Sequence, residues 1–167
     1  MFPQGQFTTV LISAKAIIHR VPGYHDVERE IDSRKILFDP RLSDRAYVTL
    51  LGNIKIGPEA VSGTPLSLAG TLVHEVHHLS QPLLYRTWSF WRGIFRREHP
   101  HKWLEWPAYR AQAQFLLEAD AAHVPGGRLE ALDVLESFLF HYGMPENLEA
   151  DSGISDLMAH IARTKEN

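Results

Sequence analysis

The segment between Thr64 and Pro82 constrains the fold most, because it combines a strong helix signal with a run of ionisable side chains. Thr64-Pro65 supplies a capping side chain followed by proline at the first helical position, and the helix is expected to stop before Pro82. Within it, TLVHEVHHLSQ (residues 71–81) places three histidines and a glutamate in five consecutive positions of an otherwise apolar helix. Burying such groups without compensating charge is costly, so the segment predicts either a metal site or half-buried, hydrogen-bonded histidines.

His74, Glu75 and His78 in this segment form an H-E-x-x-H pattern. Residues four apart are neighbours on one face of a helix, so the two imidazoles can bind the same ion. Zinc takes nitrogen ligands at about 2.0–2.1 Å in a tetrahedral set and keeps one position open in a catalytic site. Glu75 lies about 100° around the helix from His74, beside that open position, where a carboxylate can deprotonate a metal-bound water.

A catalytic zinc site needs a third protein ligand, and the chain offers several candidates. Because the chain contains no cysteine, a metal must be held by histidine and carboxylate. A carboxylate on a helix is held more rigidly than a histidine in a proline-containing loop, which favours Glu105 at the start of the next strong helix. The alternatives that spacing leaves open are His99, His101, Glu118 and Asp120.

Hydrophobic periodicity and turn residues predict the other elements. A helix is expected over residues 8–21, capped by Thr8 or Thr9 and ended by Pro22-Gly23. Val48 to Leu51 and Ile54 to Ile56 predict a hairpin with a two-residue turn at Gly52-Asn53, or one continuous strand with a kink at the glycine. Further predictions are a strand at 35–38 and helices at 65–81, 105–122 (Pro107 in its first turn), 128–141 and 153–164. The pattern favours one α+β domain over residues 1–167, mainly helical with a small sheet.

The motif of the helix and the residues around Glu105 together resemble a known family. His74-Glu75-Val76-His77-His78, followed by Gln81 and then by Glu105-Trp106-Pro107-Ala108-Tyr109, resembles the active-site signature of the gluzincins. These are zincin metallopeptidases with H-E-x-x-H on one helix and E-x-x-A opening a second. The chain is most similar to minimal gluzincin domains of bacterial proteins, in which a strand and turn like LLGNIKIG precede the active-site helix. The resemblance covers about residues 46–115.

This resemblance implies a zincin-like α+β fold with a small sheet packed beside the active-site helix. Position by position, it implies His74, His78 and Glu105 as Zn²⁺ ligands and Glu75 as the general base. It also implies that the strand region at 46–56 is a sheet edge against which an extended peptide substrate lies. The expected function is zinc-dependent hydrolysis of peptide bonds in a peptide or protein substrate. The alternative is a catalytically silent zinc-binding module that holds a peptide or protein partner.

Four more residues near the motif are candidates for supporting roles. Tyr109, one turn from Glu105, and Tyr85 are candidates for stabilising the tetrahedral oxyanion, with a packing position in the core as the alternative for each. Gln81, which closes the motif, is a candidate for oxyanion stabilisation or for supporting the ligands. His77 points roughly opposite to His74 and is expected to pack or to support the site rather than to share the ion.

Residues 84–103 form an aromatic and basic insert between the two ligand-bearing helices. The insert holds six aromatic and five basic residues against a single acidic one. Such a mixture can bind single-stranded nucleic acid or make peripheral contact with a membrane surface. The favoured interpretation is a wall or lid over the cleft, in which Trp88 and Trp91 help to form an apolar substrate pocket.

Composition restricts the partners and the location of the protein. The net charge of −3 gives no overall field that favours nucleic acid or anionic lipid. The N-terminal apolar run is interrupted by Lys15, is too short to span a bilayer and lacks the positive region of a signal peptide. We therefore expect a cytoplasmic protein with no transmembrane segment and no nucleic-acid partner.

Overall fold

The computed structural model describes residues 4–42, 46–49, 51–82, 102–143 and 152–165. This part of the chain is mostly helical with a small three-stranded sheet, as the sequence predicts. The helices are α1 (Gln4–Arg20), α2 (His25–Ser33), α3 (Pro58–Ser62), α4 (Pro65–Ser80), α5 (Lys102–Ala121), α6 (Gly127–Tyr142) and α7 (Ser152–Lys165). The strands are β1 (Ile36–Phe38), β2 (Ala46–Val48) and β3 (Ile54–Ile56).

The predicted hairpin is confirmed, with β2 antiparallel to β3. Its first strand ends at Val48, because the turn takes more residues than the expected two. Thr49 N donates to Asn53 O (2.8 Å) and Gly52 N donates to Thr49 O (2.9 Å). Gly52 has φ +76°, a left-handed conformation that glycine adopts without steric cost. A turn closed in this way is typical of three-residue hairpin loops.

The sheet has the order β1-β3-β2, so β2 is an edge strand of the described sheet. β1 runs parallel to β3, with Ile36 opposite Ile54. Ile54 and Ile56 are fully buried, whereas Lys55 between them is partly exposed, which is the alternation expected for a sheet with one covered face. The sheet therefore turns one apolar face to the helices and leaves one edge of β2 without a described strand partner.

Helix α4 lies at the centre of the described structure, in contact with α1, α2, α3, α5, α6 and β2. Its predicted start is confirmed: the Thr64 side chain accepts a hydrogen bond from Ser67 N at 2.9 Å, and Pro65 occupies the first turn. Residues 66–76 are all buried, so the helix is surrounded by other elements over two thirds of its length. Polar side chains on such a helix must find partners inside the protein.

Two predicted helix starts are wrong. Helix α1 begins at Gln4, so Thr8 and Thr9 lie inside it rather than at its cap. Thr9 Oγ1 donates to Gly5 O (3.0 Å), a contact that occupies the hydroxyl without ending the helix. Helix α5 begins at Lys102, which places Pro107 beyond the first turn. Proline there removes one helical hydrogen bond, a loss that the tertiary packing of α5 against α4 and α6 outweighs.

Helices α5 and α6 approach each other so closely at Gly127 that only glycine fits. A Cβ atom at this position would lie 2.2 Å from Leu116 O and 2.8 Å from Asp120 N, both backbone atoms. We expect Gly127→Ala to lower the free energy of unfolding by about 1–3 kcal/mol or more, because the helices must move apart. Urea denaturation of the purified variant measures this change.

The control for Gly127→Ala is Gly153→Ala, a substitution of the same type near the start of α7. A Cβ at Gly153 meets Leu117 Cδ1 at 3.6 Å, an ordinary van der Waals contact. We expect this variant to be neutral or more stable by up to about 1 kcal/mol. Equal destabilisation by both substitutions would contradict the close approach at Gly127.

Candidate metal centre

Helices α4 and α5 bring three side chains together that are far apart in the sequence. His78 Nε2 lies 3.0 Å from His74 Nε2, and Glu105 Oε2 lies 3.2 Å from His74 Nε2 and 3.5 Å from His78 Nε2. The three side chains are only 11–20% exposed. The structure thus gathers the three residues that the sequence analysis singled out as ligands, in a group able to hold a metal ion.

The spacing of these three atoms suits a tetrahedral ion. Ligands at about 2.0–2.1 Å from a tetrahedral zinc ion are about 3.3–3.4 Å from one another. The observed separations of 3.0, 3.2 and 3.5 Å bracket that value. Three protein donors on one side of an ion leave a fourth position for water or substrate, the arrangement of catalytic rather than structural zinc sites.

The outer nitrogens of both imidazoles fix which nitrogen carries the proton. His74 Nδ1 lies 3.1 Å from Gln112 Oε1, and His78 Nδ1 lies 3.3 Å from Gln81 Oε1. A carbonyl oxygen only accepts, so each Nδ1 must donate. In the neutral form that binds metal, both imidazoles would then present the lone pairs of their Nε2 atoms towards Glu105. Two lone pairs and a carboxylate converging in a buried site repel one another unless a cation lies between them.

The pKa values at this site show the same preference for positive charge. Burial alone would lower the pKa of His78, but the hydrogen bond and the negative charge of Glu105 outweigh it and raise this pKa above its ordinary value. Burial alone would raise the pKa of Glu105, but its hydrogen bonds and charge interactions with His74 and His78 hold the pKa well below its ordinary value. Glu105 is therefore an anion at neutral pH, as a metal ligand must be.

Glu75 lies beside these three residues and is almost fully buried. Its pKa is raised, chiefly by burial, although the nearby imidazoles of His74 and His78 and a hydrogen bond from Val48 N–H act in the opposite direction. The side chain is 5% exposed and comes from the turn of α4 that carries His74. A carboxylate with a raised pKa is a stronger base than an ordinary one, which suits it to take up a proton from a neighbouring water.

Gln112 is a site residue that the sequence analysis missed. It is 5% exposed, and its Oε1 accepts the hydrogen bond from His74. Gly70 makes room for it, since a Cβ there would lie 3.3 Å from Gln112 Cγ. A signal was present in the sequence: seven residues after Glu105 is two helical turns, which places Gln112 on the same face of α5.

We expect Gln112→Leu to weaken zinc binding about 10–100-fold, the usual effect of removing the hydrogen-bond partner of a ligating histidine. Leucine keeps the apolar volume but leaves His74 Nδ1 without its acceptor. Gln114→Leu on the same helix is the control, because Gln114 bonds to Glu118 at 2.6 Å. Competition with a chromophoric chelator measures both affinities. Equal affinities in the two variants would show that Gln112 does not support the site.

Tyr109 and His77 occupy different positions relative to the centre. The Tyr109 ring meets the His74 ring edge-on, with 4.9 Å between centroids, and also packs against Phe138. Tyr109 thus lies against a ligand of the candidate site, and its role in oxyanion stabilisation stays a prediction. His77 is half-buried on α4, and burial lowers its pKa. His77 does not belong to the group formed by His74, His78 and Glu105 among the described residues.

Glu105 rather than Glu118 or Asp120 joins the histidines. Glu118 accepts hydrogen bonds from Gln114 and Tyr24, and Asp120 Oδ1 accepts from Arg128 N at 3.4 Å. The remaining candidates lie outside the described residues, as does nearly all of the insert at 84–103: His99, His101, Tyr85, Trp88 and Trp91.

Comparisons of the chain with protein-family models, with curated proteins and with solved structures give no match. None of the helices in the described ranges combines the length and apolar character needed to cross a membrane.

Proposed function

We propose that the protein is a zinc-dependent metallopeptidase of the gluzincin type. The observation that carries this proposal is the meeting of His74, His78 and Glu105 within 3.5 Å of one another, with the buried carboxyl of Glu75 beside them. Two imidazoles and a carboxylate with one open position are the ligand set of catalytic zinc in several peptidases. A buried acid next to that set supports hydrolysis rather than a purely structural role.

In this proposal, the zinc ligands, Glu75 and the two glutamines have different roles in peptide hydrolysis. Zinc held by His74, His78 and Glu105 would supply a Lewis acid that lowers the pKa of a coordinated water to about 7. Glu75 is placed to accept a proton from the attacking water and to deliver it to the nitrogen of the leaving amine. Gln112 and Gln81 hold the two imidazoles in the tautomer that presents Nε2 to the site.

The edge of β2 is the proposed position of the peptide substrate. Thr49 N–H donates to Asn53, the residue before β3, so in an antiparallel pair the backbone groups of Val48 point the other way. The backbone of Val48 is near enough to Glu75 to lower the pKa of its carboxyl by hydrogen bonding, so this edge lies next to the candidate site. A peptide that added as a further strand would lie along the site and be held through its backbone, with little dependence on side chains.

Turnover of an internally quenched peptide library tests the proposal. Metal-free protein is expected to be inactive, zinc-loaded protein to cleave at least one pool, and zinc-treated Glu105→Gln protein to remain inactive. Zinc-loaded wild type that binds zinc and peptides but cleaves no pool would contradict a peptidase and leave the binding module as the function.

A further inference from the structure

We propose a second transition-metal site, formed on the surface by His19, His25 and Glu28. These residues are the other group of potential ligands in the described part of the chain, and each offers one atom within 4.8 Å of the other two. The site is separate from the proposed zinc centre, and its ligand is a divalent cation that accepts imidazole nitrogen, such as Zn²⁺ or Ni²⁺.

A tight turn between two helices creates the group. His19 lies in the last turn of α1, and His25 is the first residue of α2. Between them the chain reverses through Pro22-Gly23, and Gly23 adopts φ +90°. Glu28 follows His25 by three residues, which places both side chains on one face of α2. Three donors from two helices therefore meet over one turn.

The Glu28 carboxylate lies close to both imidazoles, in a geometry that suits the binding of a cation. His19 Nδ1 lies 2.9 Å from Oε1 and 3.1 Å from Oε2, nearly equidistant from the two oxygens. His25 Nδ1 lies 3.8 Å from Oε2, too far for a hydrogen bond but within range of a shared ion after a small rotation. A metal ion that replaces the proton between His19 and Glu28 would gain His25 as a third ligand.

Neighbouring charges leave this group available for an ion. Asp26, the next acid on α2, pairs with Arg29 at 2.9 Å. Farther along the same two helices, Lys15 and Asp32 form an ion pair at 2.6 Å. A metal at His19, His25 and Glu28 would replace the hydrogen bonds between His19 and Glu28 as the link between α1 and α2 at the end nearest the turn.

The surface site is expected to bind more weakly than the buried centre. The side chains of His19 and His25 are 67% and 68% exposed, so they lose more conformational freedom when they bind and compete with water for the ion. The donors of the buried centre are held within 3.5 Å of one another before binding.

Zinc titration of metal-free protein by native mass spectrometry tests the second site. Wild type is expected to bind two zinc ions, whereas His25→Asn and Glu28→Gln are each expected to lose the weaker one. His141→Asn replaces another exposed histidine, on α6, and is expected to retain two. Glu105→Gln is expected to lose the more tightly bound ion and to keep the more weakly bound one. The variants therefore distinguish loss of the buried site from loss of the surface site.

Paramagnetic Ni²⁺ gives an independent readout, because it broadens the amide NMR signals of residues near the ion. In Glu105→Gln protein we expect broadening centred on residues 19–28. Two zinc ions retained in both His25→Asn and Glu28→Gln would overturn the proposed site. Equal loss in His141→Asn, or nickel broadening centred elsewhere, would do the same.

Discussion

Glu75→Gln is expected to bind zinc as tightly as wild type and to hydrolyse peptides about 10²–10⁴-fold more slowly. That range is the usual contribution of a positioned general base, which the amide of glutamine cannot replace. The fold should tolerate the change, because a neutral amide is cheaper to bury than a carboxylate and its oxygen can still accept from Val48 N–H. The measurement is kcat/KM on the best substrate of the peptide library, at equal zinc content.

Glu136→Gln serves as the control for Glu75→Gln, since Glu136 is an exposed residue of α6. It should retain wild-type kcat/KM. Two outcomes separate the explanations of a loss in Glu75→Gln: full zinc content with lost turnover supports the general base, whereas lost zinc assigns the effect to the metal site. A Glu75→Gln enzyme as fast as wild type would exclude Glu75 as the base.

The second large effect is expected from Glu105→Gln, which removes the only anionic member of the proposed ligand set. We expect zinc affinity to fall by more than about 100-fold, beyond the loss expected for an outer hydrogen bond. At free zinc about 1,000 times the wild-type dissociation constant, zinc should raise the unfolding free energy of wild type by about 4 kcal/mol. The same zinc should raise that of Glu105→Gln by less than about 1.5 kcal/mol from this site.

Urea denaturation with zinc and with EDTA measures these stabilities, and Glu136→Gln again provides the control. It should gain the same zinc-dependent stability as wild type. Because the surface group of His19, His25 and Glu28 is intact in all three proteins, any contribution from it is common to them. Zinc-dependent stabilisation that is unchanged in Glu105→Gln would exclude this residue as a ligand.

Helix α4 could be predicted almost to the residue because its signals are local. The Thr64 cap, Pro65 in the first turn and the apolar period all lie within the segment itself. His74 and His78 are four residues apart in that helix, so the sequence also predicts that they lie on the same face. The third residue of the proposed site could not be predicted in this way, because its spacing from the motif does not distinguish Glu105 from the other candidate ligands. The crossing of α5 over α4 brings Glu105 to the histidines, and the geometry of a helix crossing depends on side chains from both helices.

Elements held mainly by tertiary contacts were not predictable in the same way. Helix α2 has nine residues, most of them polar, and buries only Ile31. Its packing against α1 and the Lys15–Asp32 pair compensate for a short, weakly apolar sequence. The parallel pairing of β1 with β3 joins residues about 18 positions apart through an intervening strand, and no local pattern reports such a pairing.

Two groups of polar residues differ in whether their spacing along the chain predicts their position. Gln112 follows Glu105 by two helical turns, so its place on the ligand-bearing face was available from the sequence. His19 and His25, in contrast, have no spacing in the sequence that predicts a shared site. Their meeting depends on the left-handed conformation of Gly23, which the Pro-Gly turn permits but does not require.

X-ray diffraction at the zinc absorption edge, from crystals of zinc-loaded protein, tests the ligand set most directly. The strongest anomalous peak is expected at about 2.0–2.2 Å from His74 Nε2, His78 Nε2 and an oxygen of Glu105, with Glu75 beside the remaining position. A peak bound by the histidines while the Glu105 carboxyl turns away, or no peak between α4 and α5, would contradict the proposed centre.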